Sequence, residues 1–235
     1  TEGVMGDVTE DLAALVRIPS CAFPGFPSEP VLETANAVVD LLGRYGVAAR
    51  LLEVPNGYPA VYAEIPAPPG APTVLMYAHY DIQPAPAEQG WSFEPFEPFI
   101  EDGRMYGRGA SDDKSGVMII AAALRLFAGE PPVGVRVLIE GEEEFGGNLD
   151  GLIAANPDLF KVDAFIINDG GNMKSGEPEL TAALRGIASC DVTVRTLKGM
   201  THSGSYGGGA PDALMALIRI LDSLLDENGD VAVEG

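Results

Sequence analysis

Strand-like and helix-like segments alternate along most of this 235-residue chain. Helical spacing of apolar residues predicts helices in "EPVLETANAVVDLLGRYG" and "DDKSGVMIIAAALRLFA". Short, largely apolar runs predict strands in "VAARLLEV", "AVYAEIP", "TVLMYAHYD", "GVRVLIEGE" and "AFIIND". The segment "PFIEDGRMYGRG" predicts a hairpin that turns at Asp102 and Gly103. Strands that alternate with helices predict an α/β fold, a mostly parallel sheet flanked by helices.

The pattern changes after residue 186. "IASCDVTVRTL" alternates apolar and polar residues, which predicts a half-exposed antiparallel strand. A Gly-rich loop and an amphipathic helix in "ALMALIRILDSLLDENG" follow. One strand and one helix cannot bury a core of their own. We therefore expect an α/β domain over residues 1–186 and the start of a smaller α+β domain over residues 187–235, inside which the chain stops.

Composition narrows the class of partner. Thirty-five acidic residues against 14 basic ones give a net charge of −21, which repels nucleic acid and anionic membranes. The N-terminus has no basic or apolar signal region, and no apolar run approaches the ~20 residues of a membrane span. Cys21 and Cys190 form no C-x-x-C pair. Together these features predict a cytoplasmic protein with reduced thiols and neither a nucleic-acid nor a membrane partner.

Polar side chains follow three of the predicted strands. His79 and Asp81 end the first of these strands, "EGEEEFGG" follows the second, and Asp169 ends the third. Asp112 opens a helix within "GRGASDDKSG". The carboxyl ends of strands converge in an open α/β sheet, which is where such sheets bind ligands. One imidazole and several carboxylates at such an edge predict a zinc site rich in oxygen ligands.

The order of the motifs is also informative. H-x-D at residues 79–81 is followed by "YGRGASDDKSG", "EGEEEFGG", "IINDGG" and "HSGSYGGG". This order resembles the di-zinc metallopeptidases, a family that includes carnosinase-type dipeptidases, aminoacylases, succinyl-diaminopimelate desuccinylase and glutamate carboxypeptidase. "HYDIQP" and "WSFEPFEPFIEDGRMYGRG" favour the dipeptidase branch. The resemblance spans nearly the whole chain, and it implies a catalytic zinc domain followed by a lid domain.

The resemblance implies two Zn²⁺ ions per complete active site, with Co²⁺ or Mn²⁺ as alternatives. His79 would ligate the first ion, with Asp81 bonded to its other ring nitrogen. Asp112 would bridge the two ions, and Asp169 would complete the first site. Glu144 would bind the second ion.

The implied reaction is hydrolysis of an amide bond in a dipeptide or an N-acyl amino acid by a hydroxide that bridges the two metals. Glu143 would be the general base, and His202 would donate a hydrogen bond to the oxyanion from the lid of a homodimer. Spacing alone does not separate the roles of Glu142, Glu143 and Glu144, because neighbours in an extended chain point to opposite sides.

Three hypotheses about the function of the chain remain. Family members are longer and carry a further His for the second metal, whereas no histidine follows His202 in this sequence. The first hypothesis is that the chain is a fragment of a longer enzyme, and the second is that it is a non-catalytic metal-binding module. We favour the fragment, because an unfinished sheet edge is an aggregation liability. A di-metal phosphoesterase is disfavoured because the chain has no basic cluster for phosphate.

Overall fold

The computed structural model describes residues 2–174, 176–187 and 189–233. Its helices are α1 (Glu2–Val16), α2 (Glu29–Arg44), α3 (Lys114–Leu126), α4 (Leu149–Ala155), α5 (Ser203–Tyr206) and α6 (Ala213–Asp222). Its strands are β1 (Ala49–Leu52), β2 (Ala60–Ile65), β3 (Thr73–His79), β4 (Phe99–Glu101), β5 (Arg104–Tyr106), β6 (Gly134–Glu140) and β7 (Ala164–Ile167). The chain divides into two compact units, Thr1–Leu180 and Thr181–Gly235, called here the first and the second unit.

The first unit is built on a five-stranded sheet with the order β1-β2-β6-β3-β7. β6, β3 and β7 are mutually parallel, and β2 is antiparallel to both of its neighbours. Four of the five strands therefore run in one direction, which confirms the α/β prediction while making the sheet a mixed one. The parallel register places the carboxyl ends of β3, β6 and β7 at the same edge, with His79 opposite Glu140.

Helices cover both faces of this sheet. Successive residues of a strand point to opposite faces, so Val137 and Ile139 pack against α1, α2 and α3, while Leu138 packs towards α4. Burying one such aliphatic side chain stabilises the fold by about 1.5–3 kcal/mol. Short apolar strands are therefore stable in this sheet, because helices bury their side chains on both faces.

Helix α2 illustrates how local sequence sets an element. Pro30 lies in its first turn, where no backbone donor is needed, and the buried residues Val31, Ala35, Val38 and Leu42 recur at helical spacing. The chain leaves the helix at Gly46, whose φ is +86°. A left-handed residue at this place favours glycine, and it ends the helix where the sequence predicts.

The predicted hairpin is confirmed. Phe99 pairs with Tyr106 across β4 and β5, and their rings stack. Asp102 and Gly103 have φ values of +50° and +75°. Two residues with positive φ are what a tight hairpin turn with right-handed strand twist requires.

The strand β7 forms one edge of the sheet, and its residues are exposed on both faces. Phe165 is 56% exposed and Ile167 59% exposed, although both are large and apolar. β7 bonds to β3 on one side. Its other side faces no further strand among the described residues.

The second unit departs from prediction in one element. The described residues of "IASCDVTVRTL" contain no strand, so that prediction is wrong. A segment with alternating apolar residues becomes a strand only where a neighbouring strand bonds its backbone N–H and C=O groups. The β pairing described in this unit is one bridge, between Leu225 and Val231. The predicted helix is present as α6, capped by the Asp212 side chain, which accepts a bond from the backbone of Met215.

None of the helices in the described parts of the chain combines the length and hydropathy that crossing a membrane requires.

Candidate metal centre

The strand ends of the first unit and the start of α3 bring six of the predicted site residues together. His79 ends β3, Glu143 and Glu144 lie in the short turn after β6, and Asp169 lies just beyond β7. Potential ligand atoms of His79, Asp112 and Glu144 lie within 4.8 Å of one another. Those of His79, Glu143 and Asp169 form a second such group. The buried imidazole belongs to both groups.

His79 Nε2 faces three carboxylates. It lies 3.1 Å from Asp112 Oδ1, 3.8 Å from Asp169 Oδ2 and 3.9 Å from Glu143 Oε2. The other ring nitrogen, Nδ1, is 3.2 Å from Asp81 Oδ1 and 3.1 Å from the Asp81 carbonyl oxygen. The ring is therefore oriented from one side, and its second nitrogen is directed at the acidic cluster.

Asp81 connects His79 to the turn after β6. Its Oδ1 accepts a hydrogen bond from the backbone N–H of Glu143, and its Oδ2 accepts one from the backbone N–H of Glu144, both at 3.1 Å. The side chain of Asp81 is fully buried. One carboxylate thus sets both the imidazole and the two glutamates, and the contact with the turn was not predicted from the sequence.

The start of α3 is fixed by two further buried groups. The Asp113 side chain accepts bonds from the backbone of Gly116 at 3.1 Å and of His79 at 3.0 Å. The Lys114 ammonium donates to the carbonyls of Leu15 and Ile18 at 2.8 and 2.7 Å. These bonds hold the residue before them, Asp112, beside the end of β3. Asp113 and Lys114 therefore serve the site by fixing the start of α3.

Burial and like charge dominate the electrostatics of the cluster. Burial raises the pKa of the Glu143 carboxyl, and it also raises the pKa of Glu144 against the opposing hydrogen bond from Gln83. Burial alone lowers the pKa of His79, but the hydrogen bond and charge of Asp81, with the charges of Asp113 and Asp169, raise it to about 10. The carboxylates of the cluster therefore favour a positive charge among them, here that of the protonated imidazole.

A divalent cation fits this set of groups. Four carboxylates around one imidazole nitrogen repel one another until a cation lies between them, and oxygen-rich ligands with one imidazole suit zinc, cobalt and manganese. Asp112 groups with Glu144, as the resemblance implies for the second ion, whereas Asp169 groups with Glu143, to which the resemblance gives no metal.

His202 belongs to the other compact unit of the chain. It precedes the short helix α5 in the second unit and is exposed. Its predicted role at the oxyanion stays a prediction.

The sequence did not predict Gln83 near the cluster, and it assigned no separate role to Glu142. Gln83 Nε2 donates to Glu144 Oε2 at 2.6 Å, and the buried Glu142 accepts a bond from the backbone of Tyr58 at 2.9 Å. A signal for Gln83 was present, because residues two apart on an extended segment share a side, and Gln83 follows His79 and Asp81 at that spacing.

The fold and the cluster define an α/β domain with a carboxylate-rich metal centre at the carboxyl edge of its sheet. The sequence pattern of the Peptidase family M20/M25/M40 matches residues 75–233. The chain belongs to this family, as its motif order implied.

Named relatives support the assignment. The cysteinylglycine-S-conjugate dipeptidase of Corynebacterium striatum is 49% identical over 169 residues, which are 70% of this chain and 37% of that protein. The Cys-Gly metallodipeptidase dug1 of Schizosaccharomyces pombe is 32% identical over 242 residues, 95% of this chain and 50% of that protein. This chain thus spans half or less of the length of both relatives.

A solved structure agrees in fold. The M20 family metallo-carboxypeptidase Sso-CP2 of Sulfolobus solfataricus superposes with a TM-score of 0.79 at 31% identity. The match covers 97% of this chain and 52% of that one. The mixed sheet flanked by helices is therefore the fold of an M20 peptidase.

Proposed function

We propose that the protein containing this chain is a metal-dependent peptidase that hydrolyses the amide bond of dipeptides or N-acyl amino acids. The observation that carries the proposal is the cluster of His79 with four carboxylates, oriented by the buried Asp81. Similarity to two proteins named as dipeptidases supports the dipeptide class. In this proposal residues 1–186 are the N-terminal part of the catalytic domain, and residues 187–235 belong to a lid that forms a homodimer in the cytoplasm.

Five side chains would hold the metal or act beside it. His79 and Asp169 would bind one ion, Glu144 another, and Asp112 would bridge them, while Glu143 would remain free. When bound, a pair of Zn²⁺, Co²⁺ or Mn²⁺ ions polarises a carbonyl and acidifies water.

The chain's own residues then supply orientation and proton transfer. Asp81 accepts from Nδ1 of His79, which keeps Nε2 available as a ligand. Glu143 accepts a proton from the attacking water and passes it to the leaving amine. Burial raises the pKa of Glu143, which brings it closer to the range in which a carboxyl both takes and releases a proton. His202 would stabilise the oxyanion from the second unit.

A second candidate is a non-catalytic metal-binding module. The observation that favours it is that the described cluster contains one imidazole, so the second ion would have oxygen ligands alone. Metal content alone does not separate the two candidates, but hydrolysis does.

The Glu143→Gln variant tests the proposal. It should lower hydrolysis of a dipeptide such as Cys-Gly by about 10²–10⁴-fold, because the general base is lost. Its zinc content, measured by mass spectrometry after zinc loading and dialysis, should equal that of the wild type. Glu144→Gln is the matched control and should lose metal. Undiminished hydrolysis by Glu143→Gln contradicts the base assignment, and zinc binding without hydrolysis by the wild type supports the module.

A further inference from the structure

Glu143 and Glu144, which follow β6, make the same kind of backbone hydrogen bond, but their side chains have different contacts. Asp81 accepts one hydrogen bond from each backbone N–H, at the same distance of 3.1 Å. The turn that carries them, Glu143–Phe145, is a single short helical turn. Backbone contacts therefore do not explain why one glutamate would bind metal and its neighbour would move protons.

The difference lies in Gln83. Its amide donates to Glu144 Oε2 at 2.6 Å and to the Glu144 carbonyl oxygen at 3.3 Å. In the described part of the chain the Glu143 carboxylate makes no hydrogen bond; it lies 3.9 Å from His79 Nε2, and the side chain is 41% exposed. Gln83 thus fixes the Glu144 carboxylate by a hydrogen bond that the Glu143 carboxylate lacks.

The chemistry of an amide suits this role. A glutamine donates a hydrogen bond without adding charge, so it orients Glu144 and leaves its negative charge available to a cation. A lysine at this place would compete with the cation. A bond to one oxygen of a carboxylate leaves the other oxygen as a ligand, as is common for ligating carboxylates in metal sites.

We propose that Gln83 is a positioning residue that holds the Glu144 carboxylate as a metal ligand and thereby separates its role from that of Glu143. This inference rests on the proposed function, because it takes Glu144 as a ligand. Gln83 itself touches neither metal nor substrate.

The test compares zinc affinities by competition with a chromophoric chelator, on the whole chain, for the wild type and Gln83→Leu. Loss of a hydrogen-bonding partner of a ligand costs 10–100-fold in metal affinity, and we expect a loss of about that size. Gln89→Leu is the matched control: Gln89 lies on the same segment but bonds Trp91 and Arg108. That variant should bind zinc like the wild type.

A double-mutant cycle separates positioning from a general structural effect. If Gln83 acts through Glu144, Gln83→Leu should cause no further loss of affinity in a Glu144→Gln background. Equal losses in both backgrounds would overturn the proposal, and so would an unchanged affinity of Gln83→Leu in the wild-type background. A wild-type chain that binds no zinc would contradict the proposed metal centre itself, and the role of Gln83 would fail with it. Thermal unfolding of the metal-free variants checks that the fold is retained.

Discussion

At the scale of single residues, Asp81 makes one contact that was expected from the sequence and two that were not. The family resemblance implies the contact of Asp81 with His79, and Asp81 Oδ1 lies 3.2 Å from His79 Nδ1. The bonds from Asp81 to the backbone of Glu143 and Glu144 join positions 62 and 63 residues apart. No local pattern encodes such a contact, since it depends on which strands become neighbours in the sheet.

Glu142 has a structural contact that the sequence did not predict. The sequence has three consecutive glutamates, and their spacing does not assign a role to this one. In the structure its buried carboxylate accepts the backbone N–H of Tyr58, and a side chain at Gly57 would meet it at 2.1 Å. It ties the loop before β2 to the end of β6. Whether a carboxylate of such a run serves the fold or the chemistry depends on a partner distant in sequence.

Tyr62 leads to a prediction about alkaline stability. Burial, followed by the hydrogen bond to Glu64, raises the pKa of Tyr62 to about 12. An unfolded tyrosine titrates near pH ~10, so between about pH 10 and 12 the native chain keeps a proton that the unfolded chain loses. The free energy of unfolding contributed by this group is therefore complete below pH ~10 and falls as the pH rises through that window.

The Tyr62→Phe variant retains the ring and removes the titrating group. Urea midpoints of the two proteins should run parallel below pH ~9, and the wild type should lose more stability above pH ~10. Identical losses for both proteins above that pH would contradict the assignment.

At the scale of elements, the first turn of α3 sits against the residue that follows β7. A Cβ placed on Gly116 would lie 2.1 Å from the carbonyl oxygen of Asn168 and 2.3 Å from Asp113 Oδ1. The glycine therefore permits the close approach that holds Asp112 near Asp169. An alanine here would push the helix away from the sheet edge.

Gly116→Ala should lower the free energy of unfolding by about 1–3 kcal/mol, the usual cost of overpacking. It should also weaken zinc binding. Gly151→Ala is the matched control, because Gly151 lies in α4 with no atom near its added methyl group. That change should stabilise the chain by roughly 0.5–1 kcal/mol through helix propensity. Chemical denaturation measures both, and a Gly116→Ala variant as stable as Gly151→Ala would refute the packing argument.

The elements themselves were largely predictable from the sequence. Strands β1, β2, β3, β6 and β7 lie within their predicted runs, because apolar runs flanked by turn residues also have helices to pack against. The run at 187–197 has the same alternation and forms no strand in its described residues. Periodicity indicates which side of a segment is apolar, but hydrogen-bonding partners determine whether it becomes a strand.

At the scale of the whole molecule, the division into two units has a consequence for proteolysis. Residues 181–187 are exposed and lie outside helices and strands. Exposed irregular segments are preferred sites of nicking. We expect limited trypsin digestion to cut first after Arg185, and Arg185→Gln to remove that cut.

Mass spectrometry of the early fragments identifies the site. Arg125 serves as the internal comparison, because it lies in α3 and is paired with Asp7 at 2.7 Å. Cleavage at Arg125 before Arg185 would contradict the expected order.

The exposed edge of the sheet at β7 bears on how copies of this chain behave in concentrated solution. An edge strand with exposed Phe165 and Ile167 is a template onto which a like strand can add. The net charge of −21 opposes that addition by keeping copies apart. Such repulsion reaches only ~8 Å at physiological ionic strength and less in stronger salt, whereas strand pairing does not depend on it. The colloidal stability of the chain therefore depends on the dissolved ions around it, and raising their concentration turns the same strand into a nucleus for assembly.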